Sequence, residues 1–297
     1  MYFIDLRQTP QYALYMEKIG WQSHTLKIRG LEVYYFVNTL GFLPFSAAKI
    51  HRPCTDIPLQ TIKMIAKKHH ALWVKISPTI YSHPGFNSES SVVAFPKPLI
   101  YNSIFNMLLL DKDPYIPTKT VWLDLKQNQA RLLKNMHAKT RYNIRKYQKS
   151  NIKYITLSGD KITDNQIKNI YCLWKKNNQK NKLFTPRINE LIHLIKSFEK
   201  NCFVVCAISS QSNSDNAHKL LSFCLILLSP NMAFYWHNAA GDKGRKLFTP
   251  TVCVWLAICH SKKLGKKIFD FEGIYDPRFH KSFKNWRGFT RFKKGFI

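Results

Sequence analysis

Asp270 and Glu272 flank Phe271, and on an extended strand such alternate residues share one face. A carboxylate pair so placed can take a proton from a reacting amine, or each can neutralise the neighbouring Lys266 or Lys267. Tyr235 and His237 alternate in the same way on an apolar run and would line a groove together, with core packing as the alternative for Tyr235. Arg141, Arg145 and Arg187 suit phosphate, because the planar guanidinium fork engages two oxygens at once. Arg141 and Arg145 also extend a basic stripe with Lys134 and His137 at steps of three or four, which taken alone reads first as a solvated helix face. Phe283 offers a flat ring on which a nucleic-acid base could stack. The run 241–245 has the glycines of a phosphate-cradling loop, or of a plain strand-to-helix turn.

Composition narrows the partners. Over 297 residues, 46 basic and 17 acidic side chains leave a formal charge of +29, which favours polyanions or an anionic membrane surface. A lysine-rich proteome would also raise the count, so charge alone names no ligand. The seven cysteines lack CxxC spacing and mostly sit in apolar runs, as expected of reduced thiols in a cytoplasmic protein. No His/Cys cluster has zinc-like spacing, and the doublet His69–His70 stands alone, so no metal is expected. The first residues lack a signal-peptide core. The longest apolar stretch, 220–236, is broken by Ser229, Pro230 and Asn231, which reads as a turn between strands rather than a bilayer span.

The elements that must carry these residues follow from periodicity and capping. Strands are expected at 2–6, 31–37 and 72–76, with helices at 11–19 and 63–70. The run 77–118 is rich in Pro, Ser and Asn, with an apolar segment at 99–110. A second unit opens with a strand at 121–125 and a helix over 127–149, whose apolar positions are Leu133, Met136, Ile144 and Tyr147. After a strand at 152–157, Thr163 to Gln166 forms a capping-box pattern, and Thr185–Pro186 resembles an N-cap followed by proline at the first helical position. Strands at 202–209, 220–228 and 232–238, a loop at 241–244, a helix at 249–263 and a strand at 267–271 complete the unit, with 210–217 as a hairpin loop. This order is that of a GNAT acyltransferase fold.

Three stretches together resemble the Fem family of peptidoglycan-bridge aminoacyltransferases. They are MHAKTRYNIRK at 136–146, FYWHNAA at 234–240 followed by Arg245, Lys246 and Leu247, and LGKKIFDFEGI at 264–274 followed by Phe283–Lys284 and Gly288–Phe289. The resemblance implies an α/β (α+β) chain of two tandem GNAT-like domains, with mixed, mostly antiparallel sheets flanked by helices. The first domain is expected at 1–118, joined by a last strand at 287–297, and the catalytic domain at 119–286. The family's Gly-Gly before the isoleucine is Glu272–Gly273 here, the spacing after Phe283–Lys284 is longer, and the phosphate-binding lysine of the first helix has only Lys18 nearby.

The implied reaction joins an amine to the ester carbonyl of an aminoacyl-tRNA. The acceptor would be the peptide stem of a lipid-linked or UDP-linked muropeptide, and no cofactor is needed. Lys284 would stabilise the oxyanion of the tetrahedral intermediate, Asp270 or Glu272 would take the amine proton unless the substrate itself does, and Arg141, Arg145, Arg187, Tyr235, His237 and Phe283 would hold the substrates. A cytoplasmic protein is implied, with peripheral contact at the inner face of the membrane. An acyl-CoA-dependent N-acyltransferase and a non-catalytic, basic RNA- or membrane-binding module are the competing readings.

Overall fold

In the computed structural model, residues 4–80, 92–146, 151–209 and 219–297 are described; Tyr147 and the hairpin loop expected at 210–217 lie outside them. Two units emerge, one of Met1–Trp122 with Glu272–Thr290, the other of Leu123–Phe271 with Arg291–Ile297. The returning segment therefore differs from the expected one: residues 272–290 come back to the first unit, and the last seven belong with the second.

In the first unit, the strand expected at 2–6 is absent from the described part of that run, because the Asp5 carboxylate accepts from Arg7 N and starts a 3-10 turn over Leu6–Gln8. Thr9 then caps α1 (Pro10–Lys18) by accepting from Tyr12 N, with Pro10 at a position that needs no amide hydrogen. The strands that follow are β1 (Gln22–Ile28), β2 (Leu31–Thr39) and β3 (Ser46–His51). Helix α2 (Leu59–Lys68) leads to β4 (Ala71–Ser77), and then come β5 (Val92–Ala94), β6 (Leu99–Asn102) and β7 (Met107–Leu110). The sheet order is β1-β2-β3-β4-β6-β7, antiparallel except for β3 beside β4. That parallel pair needs a crossover, which α2 supplies while burying Ile62, Ile65 and Ala66 against Val33, Ile50 and Val74. Strand β8 (Lys119–Asp124) pairs with β5 through Val92 and Val121 and carries the chain into the second unit.

There the helix expected over 127–149 is two helices, α3 (Gln129–Asn135) and α4 (Ala138–Lys146). Met136 is extended between them, and the Arg141 guanidinium donates to the carbonyls of Lys134 and Met136 that the break leaves exposed. Strand β9 (Ile152–Ser158) precedes α5 (Asp164–Lys180), whose capping box of Thr163 and Gln166 is formed. Helix α6 (Ile188–Phe198) starts later than Thr185–Pro186 suggests, since the Pro186 carbonyl accepts from Tyr171 Oη at 3.0 Å. Strands β10 (Cys202–Ser209), β11 (Leu220–Leu228) and β12 (Met232–Ala240), helices α7 (Asp242–Lys246) and α8 (Thr249–Lys263), and strand β13 (Ile268–Asp270) follow. The sheet of this unit runs β13-β12-β11-β10-β9, antiparallel except where β13 joins β12. After β13 come α9 (His280–Phe283) and α10 (Arg287–Lys294); the last strand expected at 287–297 is therefore helical, with Phe289, Phe292 and Phe296 at helical steps.

The first unit is pinned by a buried charge network. Arg7 donates to Asp5 at 2.9 Å and to Glu272 at 2.9 Å, while Arg52 donates to the other Asp5 oxygen at 2.9 Å and to the Pro117 carbonyl at 2.8 Å. The guanidinium of Arg52 lies 3.8 Å from the centre of the Phe95 ring. Burial works against the Asp5 charge, yet the guanidinium groups of Arg7 and Arg52 outweigh it and hold the carboxyl below its usual range. Gln8 beside them ties two strands, accepting from Tyr34 N and donating to the His51 carbonyl.

Removing one member strands its partners in a water-free site, at a cost of about 3–5 kcal/mol. Arg7→Met is expected to lower the urea midpoint of unfolding by a corresponding amount. Because the folded pKa of Asp5 lies below its unfolded value, this stabilisation is complete above the unfolded pKa and drains away as pH falls through the folded one. The acid branch of the wild-type stability curve should accordingly flatten in Asp5→Asn.

Candidate active site

Strands β12 and β13 are parallel partners over only three residue pairs, ending at Phe234 opposite Asp270, after which β12 runs on to Ala240 alone beside β11. A bulge falls in the β11–β12 pairing, with Tyr235 opposite Ile226 and His237 opposite Leu225, so Trp236 is the extra residue. Sequence alternation put Tyr235 and His237 on one face; the bulge sends them to opposite faces. Tyr235 is buried, with Phe271 at 6.1 Å between ring centroids and the Lys293 ammonium 5.8 Å from its ring. His237 packs on Trp174 of α5 at 4.2 Å, where burial pushes its pKa down to about 4 and leaves the imidazole neutral at pH 7.

The two carboxylates also part company. Asp270 is the last residue of β13 and fully buried. Glu272 lies beyond the strand with φ of 52°, in the left-handed region, so the expected alternation ends before it. Its carboxylate belongs to the Arg7 network of the first unit.

The arginines separate by environment. Arg141 is committed to the two carbonyls at the α3–α4 break. Arg145 and Arg187 are exposed, and no ion pair involves either among the described residues, which leaves their forks open to phosphate.

Phe283 and Lys284 lie on the returning segment of the first unit. Phe283 is buried against Trp286 at 4.7 Å and Phe279 at 6.4 Å, so its ring is an anchor rather than an open stacking platform. The Lys284 side chain is exposed, and no hydrogen bond, ion pair or ring contact engages it among the described residues. The segment beneath it is tightly held. Asp276 accepts from Thr118 Oγ1 at 2.7 Å and Arg278 Nη2 at 2.7 Å, Tyr275 N donates to Thr290 Oγ1, and Trp286 lies against Gly273. A Cβ on Gly273 would meet the Trp286 ring at 1.8 Å, so only glycine lets that ring sit where it braces Phe283.

One constellation in the first unit was not visible in the sequence. The Lys49 ammonium lies 3.5 Å from the Trp21 ring centre and 5.8 Å from that of Tyr115, whose hydroxyl meets His51 Nε2 at 2.6 Å. Burial without a carboxylate partner lowers the Lys49 amine to about 7, where it is part neutral and able to act as base or nucleophile. Lysine on β3 and tryptophan ahead of β1 are separated along the chain, and only the pairing of β1 with β2 and of β2 with β3 brings them together.

The loop at 241–245 is a strand-to-helix turn with a packing role. Gly241 opens α7, Asp242 pairs with Lys180 at 2.7 Å and Arg245 at 3.0 Å, and a Cβ on Gly244 would lie 2.3 Å from the Leu221 carbonyl oxygen. Gly244 is thus explained by its approach to β11, without a phosphate. All seven cysteines are free thiols. Among the described residues no group of three or more His, Cys, Asp or Glu side chains converges as a metal site.

No family model matches this sequence, and no curated protein matches it. Among solved structures, FemX is similar with a TM-score of 0.74 at 15% identity, over 98% of this chain and 89% of that one. The C-terminal DUF2156 domain of a putative lysylphosphatidylglycerol synthetase from Agrobacterium fabrum is similar with a TM-score of 0.57 at 11% identity, over 98% and 85%. At these identities the likeness is one of fold, and it spans both units: two mixed sheets flanked by helices, as expected from the sequence.

Gly273→Ala is expected to displace Trp286 and lower thermal stability by an amount typical of overpacking, about 1–3 kcal/mol. A crystal structure of the variant should show the ring moved. Lys49 is expected to react with acetic anhydride at pH 7 several-fold faster than the exposed Lys67 and Lys68. Peptide mass spectrometry over a pH series should give a midpoint near the shifted value.

Proposed function

We propose that this chain is an acyltransferase that moves an aminoacyl group from charged tRNA to a peptide-stem amine of a peptidoglycan precursor. The observation that carries the reading is Lys284: an exposed ammonium without a partner among the described residues, on a segment whose neighbours are locked in place. Three ordered motifs resembling the Fem family, and a fold shared with FemX over nearly the whole chain, support it.

In the reaction, the acceptor amine attacks the ester carbonyl carbon and a C–N bond forms. The carbonyl oxygen becomes an oxyanion, which the Lys284 ammonium stabilises by charge and hydrogen bond. Collapse breaks the bond to the ribose oxygen, and the proton lost by the amine ends on that oxygen, giving an amide and uncharged tRNA. With Glu272 tied to Arg7 and Asp270 enclosed, direct transfer from amine to ribose oxygen is the simplest route for this proton. Exposed Arg145 and Arg187, within an overall charge of +29, would hold the phosphates of tRNA and precursor. The second neighbour's name denotes a lipid product bearing lysine, so the acceptor class is part of what must be tested.

Incubation with labelled aminoacyl-tRNA and a muropeptide precursor should yield precursor carrying one more amino acid. Lys284→Ala should slow this by about 10²–10³-fold, the range for losing one oxyanion donor, with an unchanged melting temperature. Unchanged turnover in the variant, or no precursor gaining mass with any charged tRNA, would refute the proposal.

A further inference from the structure

Strand register places two apolar loops at the same end of the first unit's sheet. Thr39 of β2 pairs with Ser46 of β3, Ser46 with Ala71 of β4, Trp73 with Asn102 of β6, and Asn102 with Met107 of β7. The loop 40–45 and the turn 103–106 therefore project from that end, about 14 Å apart at three strand spacings. Their tips are large and bare: Phe42 is 109% exposed, Leu43 58%, Ile104 68% and Phe105 69%. Phe45 and Met107 extend the same surface at 42% and 51%.

Both loops close their own hydrogen bonds. Leu40 N donates to the Phe45 carbonyl and Leu43 N to that of Leu40. In the other, Asn102 Oδ1 accepts from Ile104 N at 3.0 Å and Phe105 N at 3.2 Å, Ser103 N donates to the Leu72 carbonyl, and Tyr101 Oη donates to Asn106 Oδ1. Each of these bonds lowers the cost of moving loop backbone out of bulk water. Helices α1 and α2 end on the same side, since each leads directly into the strand that starts there; Lys18, Lys67, Lys68 and His70 are exposed, and the acidic Glu17 bonds to Ser23.

We propose that this end of the sheet is a membrane-docking face. Phe42, Leu43, Ile104 and Phe105 enter the headgroup region of an anionic phospholipid bilayer, and Lys18, Lys67 and Lys68 meet the lipid phosphates. Convex apolar tips beside a basic collar, on a chain of net charge +29, complement a negatively charged surface of that kind rather than a pocketed protein partner. The outward backbone groups of edge strand β7 limit the depth to the interface. This face is independent of the proposed chemistry, and its test needs no substrate.

Flotation of the purified chain with vesicles of phosphatidylglycerol and phosphatidylcholine in equal parts, and with phosphatidylcholine alone, reads the partition directly. The wild type should float with the anionic vesicles only. The variant Phe42→Ser/Leu43→Ser/Ile104→Ser/Phe105→Ser should lose at least about tenfold in partition, and Lys67→Glu/Lys68→Glu should lose binding most at low salt. All these side chains are exposed, so melting temperatures should hold. Failure of the wild type to float overturns the proposal. So does a tip variant that floats like wild type, which would mean adsorption by charge alone. Vesicle-independent self-association abolished by the tip substitutions would make the face a protein interface instead.

Discussion

Two guanidinium groups and two carboxylates share a site closed to water, drawn from residues 5, 7, 52 and 272. Each charge is tolerable there only because the others are present. The ends of the first unit's chain are therefore brought together by electrostatic necessity as much as by apolar packing. Thr120 Oγ1 donates to the Glu272 carbonyl and Ile274 N to that of Lys119, so the returning segment is seated before it reaches Phe283 and Lys284. Whatever the lysine does, its position is inherited from this network.

Local signals in the sequence were reliable where the physics is local. The Thr163–Gln166 capping box and the turn at Ser229–Asn231 rest on contacts within a few residues, and both are formed. Readings that depended on distant partners fared differently. Glu272 looked like half of a catalytic pair because its partner Arg7 is 265 positions away. Arg141 looked like a phosphate ligand because the helix break it caps is invisible in a run of good helix formers. Tyr235 and His237 looked co-facial because alternation assumes an unbroken ladder, and a bulge is set by the neighbouring strand. The motif around Lys284 was legible as a pattern; the burial of Phe283 beside it was not, since Phe279 and Trp286 supply it through a fold of the segment.

Two glycines, one in the returning segment and one in α7, are required for the space they leave. Gly273 admits the Trp286 ring and Gly244 admits the Leu221 carbonyl, and in both cases the missing methyl group is a matter of space rather than of backbone angle. The Glu272–Gly273 pair thus combines an ion-pair anchor with a steric vacancy, where the Fem-like pattern has two glycines. A carboxylate at the first of these positions makes sense in a chain that has Arg7 and Arg52 to receive it.

The order of the units along the chain has a consequence for biosynthesis. The first unit is interrupted by the whole of Leu123–Phe271 before its remaining piece arrives. While the polypeptide is being made, Arg7, Arg52 and Asp5 must wait for the Glu272 carboxylate until all of the intervening segment has been synthesised. Until then two guanidinium groups share the single carboxylate of Asp5, and each unit is completed only when its own returning piece has followed the intervening chain.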